Sequence, residues 1–222
     1  MSPTAEPPVR SERTRVLAGI TVVDTPLITG ALEYARIHSE PYLFNHAVRS
    51  WLFAVRLGQL DDVPHDAEVV AVGTLLHDLG LTSDFSGPKR FEIEGADAAR
   101  TFARAHGMDE RRGQLIWDSV ALNSTPSIGL YKEAEVALCT GGIGVEFGFQ
   151  YDRIPPHEMQ SILAAFPRLE MKRRFKDSVC RVVTIKPETT YDNFAGDFGE
   201  RFVPGYQRRS TVDFLMNAPF KE

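Results

Sequence analysis

Apolar residues recur at intervals of three and four along most of the chain, which is the spacing of one face of an α-helix. The pattern is clearest over 41–60, where Pro41 occupies the first position of a predicted helix. The same spacing predicts further helices at 29–38, 67–79, 91–106, 109–123, 133–147, 155–166, 169–185 and 210–217. Strand patterns are weak, so the sequence predicts an all-α fold.

Polar residues and glycines mark the ends of several predicted helices. Asp66 can cap the helix at 67–79, because a side-chain oxygen at this position accepts hydrogen bonds from the first free backbone N–H groups. Gly80 follows the same helix, and glycine is the residue best suited to a left-handed end position. This places His77 and Asp78 in the last turn of their helix.

The chain is long enough for one domain with a sizeable core, having 222 residues of which 43% are hydrophobic. Residues 1–14 are polar and proline-bearing, which predicts a flexible N-terminus followed by a single domain over 15–222. After Pro187 the chain is rich in aromatic residues and glycine, which predicts an ordered segment that wraps around the domain. Its aromatic side chains either close the core or form a homodimer interface; they are Tyr191, Phe194, Phe198 and Phe202.

Charge and composition narrow the classes of partner. A net charge of −5 argues against a broad surface for nucleic acid or an anionic membrane, and favours a small molecule as the partner. Neither a signal-peptide pattern nor an apolar run as long as a membrane span is present, which predicts a cytoplasmic protein. Cys139 and Cys180 lack a C-x-x-C spacing and are expected to be buried thiols.

The candidate chemistry lies in the stretch TLLHDLGLT, residues 74–82, where His77 and Asp78 interrupt a run of leucines. Burying such a pair is expensive unless its polarity is compensated. Either the pair belongs to a structural hydrogen-bond network, or it holds an ion together with His46 from the preceding helix. Imidazole nitrogens and carboxylate oxygens are the ligands of divalent transition metals, usually gathered from separate helices.

Five motifs resemble, in order, those of the HD-domain superfamily of metal-dependent hydrolases, and most closely its cyanamide-hydratase-like branch. The motifs are FNHAVRSWLFA at 44–54, LLHDLGLT at 75–82, RFEIEGADAAR at 90–100, IWDSVALNSTPSIG at 116–129 and GIGVEFG at 142–148. The resemblance implies an HD-domain helical bundle with a metal site between helices. It implies His46, His77 and Asp78 as metal ligands and zinc as the cofactor, with iron as an alternative.

The chain departs from the family pattern at two positions. Relatives commonly carry an aspartate near the late glycine, and here Glu146 is the nearest carboxylate and the candidate fourth ligand. Relatives typically carry a histidine where this chain has Asn123, and an amide cannot act as a general base near pH 7. Proton transfer would then fall to another residue, with Asp78, Glu92 and Asp118 as the candidates.

The resemblance also indicates how a substrate would be held. Asn123 and Thr125 are candidate polar groups facing it, and a narrow apolar pocket would suit a small rod-like nitrile. Aromatic candidates for the pocket wall are Trp51, Phe85, Phe91, Trp117 and Phe149.

The leading hypothesis is a metal-dependent hydratase that adds an activated water to a small nitrile-like substrate such as cyanamide. The first alternative is an HD-type phosphohydrolase acting on a nucleotide or phosphoester, for which Arg49, Lys89 and Arg90 are the available cations. The second alternative is a degenerate HD-fold binding protein without turnover, which Asn123 and the uncertain late carboxylate keep open.

Overall fold

A computed structural model describes residues 13–220, and within this range the chain is an all-α bundle with one small hairpin, which confirms the predicted fold class. The predicted flexible segment falls almost wholly on residues outside this range, but Thr14, which was counted with it, begins a strand. The helices are α1 (Pro26–His38), α2 (Pro41–Leu60), α3 (Ala67–Leu75), α4 (Phe91–Ala105), α5 (Glu110–Ala121), α6 (Pro126–Gly129), α7 (Ala134–Glu146), α8 (Pro156–Ala165), α9 (Met171–Ile185), α10 (Ala195–Phe202) and α11 (Thr211–Met216). No helix between residues 13 and 220 has the length and apolar character needed to cross a bilayer.

The hairpin pairs β1 (Thr14–Leu17) with β2 (Ile20–Val23) in antiparallel register. Ala18 and Gly19 form its two-residue turn, and both have positive φ values, as the favoured hairpin turn requires. Ile20 and Val22 are buried against the helical core. The sequence signal for this hairpin was a pair of β-branched runs on either side of Ala-Gly. Each run has only four residues, which is too short to show a clear alternation of apolar and polar positions.

The main core is built around α2, whose residues from Val48 to Leu57 are almost all buried. Helices α3 and α7 pack against it, and α5 packs in turn against α3 and α7. A second apolar cluster joins the start of α2 to α9 and to the late aromatic segment. The aromatic segment thus covers the end of α2 that carries His46.

Helix α3 ends earlier than its apolar pattern predicts. The imidazole Nδ1 of His77 lies 2.7 Å from the carbonyl oxygen of Thr74, which in a continuing helix would accept from the backbone N–H of Asp78. Gly80 lies in the following turn at Leu79–Leu81 and has no positive φ, so the predicted left-handed role is wrong. Glycine is needed at this position because the turn packs closely against the start of α4: a Cβ there would lie 1.8 Å from the carbonyl oxygen of Phe91.

Candidate metal centre

Three side chains from two parts of the bundle converge at one point. His46 projects from the second turn of α2, and His77 and Asp78 follow the end of α3; all three are buried. His46 Nε2 lies 3.2 Å from His77 Nε2. Asp78 Oδ2 lies 3.4 Å from His46 Nε2 and 3.2 Å from His77 Nε2. The three atoms form a nearly equilateral triangle.

Hydrogen bonds on the far side of each ring fix which nitrogens face this triangle. His46 Nδ1 donates to Glu146 Oε2 at 3.1 Å, and His77 Nδ1 donates to the Thr74 carbonyl at 2.7 Å. A neutral imidazole carries one proton, so both Nε2 atoms then present lone pairs to the triangle. Ligand histidines in metalloproteins are oriented in the same way.

The triangle has the chemistry and size of a facial metal site. Two imidazole lone pairs and a carboxylate oxygen are all acceptors, and the buried Asp78 Oδ2 has no hydrogen-bond partner. Zinc bonds of roughly 2.0–2.1 Å in a tetrahedron place neighbouring ligand atoms about 3.3–3.4 Å apart, which matches the observed edges. The His46, His77 and Asp78 group could therefore hold a metal ion.

The electrostatics of the group also favour a cation. Burial opposes a charged His77 imidazole, yet the neighbouring Asp78 carboxylate raises the pKa of His77 above its ordinary value. Burial likewise opposes ionisation of Asp78, and the two imidazoles nevertheless lower the pKa of its carboxyl group. For His46, burial dominates and lowers the pKa, which keeps its Nε2 available as a ligand atom.

Glu146, the candidate fourth ligand, lies behind His46 and outside the triangle. Its Oε1 accepts from Arg49 Nε at 2.8 Å, and its Oε2 accepts from Arg49 at 2.7 Å and from Arg168 at 3.3 Å. Burial disfavours the Glu146 carboxylate, yet its hydrogen bonds from Arg49 and His46 hold its pKa well below the usual range. Glu146 therefore orients the His46 ring and does not stand in the position of a fourth ligand.

Asn123 lies at the edge of the site, where its side-chain amide donates to the backbone carbonyl of His77 at 3.1 Å. Glu92 is fully buried and is reached from the site only through a neighbour: Ser124 Oγ donates to Glu92 Oε1 at 2.6 Å. Arg90 balances the Glu92 charge at 2.9 Å. Ser124 is thus a site residue that sequence reasoning missed, although it adjoins the predicted Asn123.

Two other predicted residues lie away from the triangle. Thr125 precedes α6 and is not among the residues lining the cavity described below. Asp118 forms an ion pair with Lys132 at 2.8 Å and is not among the residues that line the cavity. Of the predicted buried thiols, Cys139 is buried and Cys180 is only half-buried.

A cavity of about 310 Å³ opens onto the triangle. Five phenylalanines from three parts of the chain line it, together with the triangle and a few other polar groups. The lining residues are His46, His77, Asp78, Asn123, Ser124, Pro126, Thr140, Ile143, Gly144, Phe147, Phe149, Phe175, Phe194 and Phe198.

Of the aromatic residues predicted for the wall, only Phe149 belongs to it. Trp51 and Phe91 are buried in the two cores, Phe85 packs against Tyr34, and Trp117 donates to Asp97. Three of the five phenylalanines come from α9 and the late aromatic segment, outside the five motifs, and Phe147 of the fifth motif was not among the predicted candidates. No protein-family model matches the chain, and no curated protein matches it.

Proposed function

We propose that the protein is a metal-dependent hydratase of the HD-domain, cyanamide-hydratase-like type, acting on an uncharged nitrile-like substrate. The observation that carries the proposal is the convergence of His46 Nε2, His77 Nε2 and Asp78 Oδ2 at the end of an apolar cavity. The order of the five sequence motifs supports the same assignment. A purely structural network would instead need a protonated His77 to donate from Nε2 to Asp78, and burial of this imidazole opposes its charged form.

The proposed reaction adds one water across a carbon–nitrogen triple bond. The water oxygen bonds to the nitrile carbon, and both water protons end on the nitrogen, which gives an amide, or urea from cyanamide. A bound divalent metal supplies a Lewis acid and lowers the pKa of water from 15.7 to about 7. The three ligands and the cavity belong to the protein, and they set where the reacting carbon lies.

The remaining steps fall to side chains at the polar end of the cavity. Asp78 Oδ2 faces the imidazoles, which leaves Oδ1 to take a proton from the attacking water and return it to the substrate nitrogen. Asn123 holds the backbone of His77 in place. Ser124 donates its proton to Glu92, so its oxygen lone pairs are free to accept from the product NH₂ group.

A phosphohydrolase is the less favoured assignment because the cations that it would need are engaged elsewhere. Arg49 is fully buried behind His46 and pairs with Glu146. Lys89 pairs with Asp97, and Arg90 pairs with Glu92. Within the described chain, the cavity lining contains neither lysine nor arginine to clamp a phosphate.

The first experiment measures metal content and urea formation from cyanamide with the same purified protein. We expect about one equivalent of bound metal and metal-dependent turnover in the wild type, and loss of both in Asp78→Asn, which is nearly isosteric. His157→Ala is the control because this histidine is exposed. It should leave both readouts unchanged.

The outcomes separate the proposed function from its alternatives. Bound metal with turnover of phosphoesters and none of nitriles would replace the hydratase by a phosphohydrolase. Bound metal with no turnover of either class would favour a binding protein. Equal metal content in the wild type and Asp78→Asn would refute the metal centre itself.

A further inference from the structure

We infer that the substrate carries an apolar, ring-sized body attached to its reactive group, and that cyanamide is too small to fill the site. This inference rests on the proposed function for the identity of the reactive group. The size and apolar character of the rest of the substrate are inferred from the cavity alone.

Size is the first observation. At about 30 Å³ for a water-sized group, the three heavy atoms of cyanamide occupy roughly 90 Å³. The cavity measures about 310 Å³. More than two-thirds of it would remain for the rest of the substrate, or would hold water against an apolar wall.

Lining chemistry is the second observation. The polar groups are concentrated around the triangle, at Asn123 and Ser124, while the remaining wall is dominated by phenylalanine and Ile143. An apolar wall with few polar groups binds an apolar body and orients it through one polar end. Charged substrates fit poorly, because in the described lining Asp78 and the two histidines are the ionisable groups and each belongs to the triangle.

Ring geometry is the third observation, and it favours an aromatic body. Phe175 is stacked on Phe194, with centroids 6.2 Å apart and planes 12° apart. Phe147 meets Phe175 nearly edge-on at 5.8 Å and 73°. Phe198 meets Phe194 in the same way at 5.8 Å and 80°. Such faces and edges accept a further ring in offset-stacked or edge-to-face contact.

Exposure gives the cavity a direction. Phe175 is 6% exposed and lies deep, whereas Phe147 is 52% and Phe149 is 65% exposed. Phe147 and Phe149 therefore border the mouth, and Phe147 does so beside the triangle, since its ring centroid lies 6.4 Å from that of His46, against 6.1 Å for Phe175. A substrate would place its polar end on the triangle and its ring against Phe147 and Phe175.

The test compares 4-fluorobenzonitrile with cyanamide on the metal-loaded, full-length protein. Turnover of each is followed by product formation, and binding of the fluorinated nitrile is followed separately by ¹⁹F NMR. We expect kcat/KM for the aromatic nitrile to exceed that for cyanamide by roughly tenfold or more, since each added methylene in an apolar pocket changes specificity by about 10–200-fold.

A matched pair of variants on α10 locates the ring. Phe198 lines the cavity, whereas Phe202 lies one turn further on, is 49% exposed and does not line it. Phe198→Ala should weaken binding of 4-fluorobenzonitrile about tenfold and lower the ratio of its kcat/KM to that of cyanamide. Phe202→Ala should change both quantities far less than Phe198→Ala does, although its ring packs on Phe198 with the centroids 6.0 Å apart.

The outcomes distinguish this inference from the proposed function. Metal-dependent hydration of cyanamide without binding of the aromatic nitrile would overturn the inference and leave the function standing. Binding that depends on Phe198, without hydration of any nitrile, would support the apolar body and overturn the function. Binding of 4-fluorobenzonitrile that is equal in Phe198→Ala and Phe202→Ala, or absent from all three proteins, would overturn the inference.

Discussion

The role of each imidazole at the centre is decided by the atom that its Nδ1 contacts. For His46 this atom is Glu146 Oε2, and Glu146 is itself held by two hydrogen bonds from Arg49. Arg49 and Glu146 are both fully buried, so their charges depend on each other. The orientation of the His46 ring therefore depends on the buried ion pair between Arg49 and Glu146.

Replacing Glu146 by glutamine should therefore weaken both folding and metal binding. It leaves the Arg49 charge buried without its partner, which should lower the free energy of unfolding by about 3 kcal/mol or more. It also weakens the acceptor of His46 Nδ1, which should lower metal affinity roughly 10–100-fold. Urea denaturation and metal titration measure the two effects.

The control is Glu170→Gln, because Glu170 pairs with Arg173 in solvent and should change neither quantity appreciably. Wild-type metal affinity in a destabilised Glu146→Gln protein would contradict the orienting role. A complete loss of metal at any concentration would instead restore Glu146 as a ligand.

Residue types and the family resemblance together predicted that His46, His77 and Asp78 would converge, because polar side chains of these types are rare within apolar helices. The role of Glu146 could not be obtained in this way. It depends on Arg49, which is 97 positions away and meets Glu146 only when α2 packs against α7. The link between Ser124 and Glu92 is likewise a long-range contact, between the turn after α5 and the start of α4.

The contact between α2 and α7 brings the ligand His46 and its partner Glu146 together. A Cβ at Gly142 would lie 2.4 Å from the carbonyl oxygen of Ser50 and 2.6 Å from the Cβ of Ala54. The helices can approach this closely only because α7 has no side chain at that position. This contact accounts for the glycine at this position of α7.

Gly142→Ala should therefore force α2 and α7 apart and lower the free energy of unfolding by about 1–3 kcal/mol. Gly144→Ala on the same helix is the matched control, since its Cβ would meet only the Phe149 side chain at 3.5 Å. Higher helix propensity should leave that variant equal to the wild type or up to about 1 kcal/mol more stable. Equal stability of the two variants in urea denaturation would contradict the close contact.

Among the helices, the apolar period predicted those that bury one face, such as α4 and α9, whereas α3 is buried on nearly all sides and shows as a continuous apolar run. Helix ends were less predictable, as α1 shows: the Thr25 side chain caps it through the backbone N–H of Ile28, so the helix starts before its apolar pattern does. The hairpin was missed because four-residue strands carry little periodicity. The late segment was expected to be ordered, but α10 within it was not predicted.

Across the whole molecule, the proposed metal joins two parts of the bundle that are otherwise held together by packing. His46 comes from α2, while His77 and Asp78 come from the turn after α3. A ligand that binds only this folded arrangement stabilises it by mass action. Metal binding should accordingly appear in the thermal stability of the entire chain.

Adding zinc to chelator-treated protein at about 100 times its dissociation constant should stabilise the fold by about 2.7 kcal/mol. For a chain of this length, that corresponds to a rise in Tm of roughly 5–10 °C, measured by thermal unfolding. Asp78→Asn should lose most of this rise, whereas His157→Ala should keep it, because His157 is exposed. A rise of the same size in Asp78→Asn would mean that zinc stabilises the chain from another site, and the convergence of His46, His77 and Asp78 would then be a structural network.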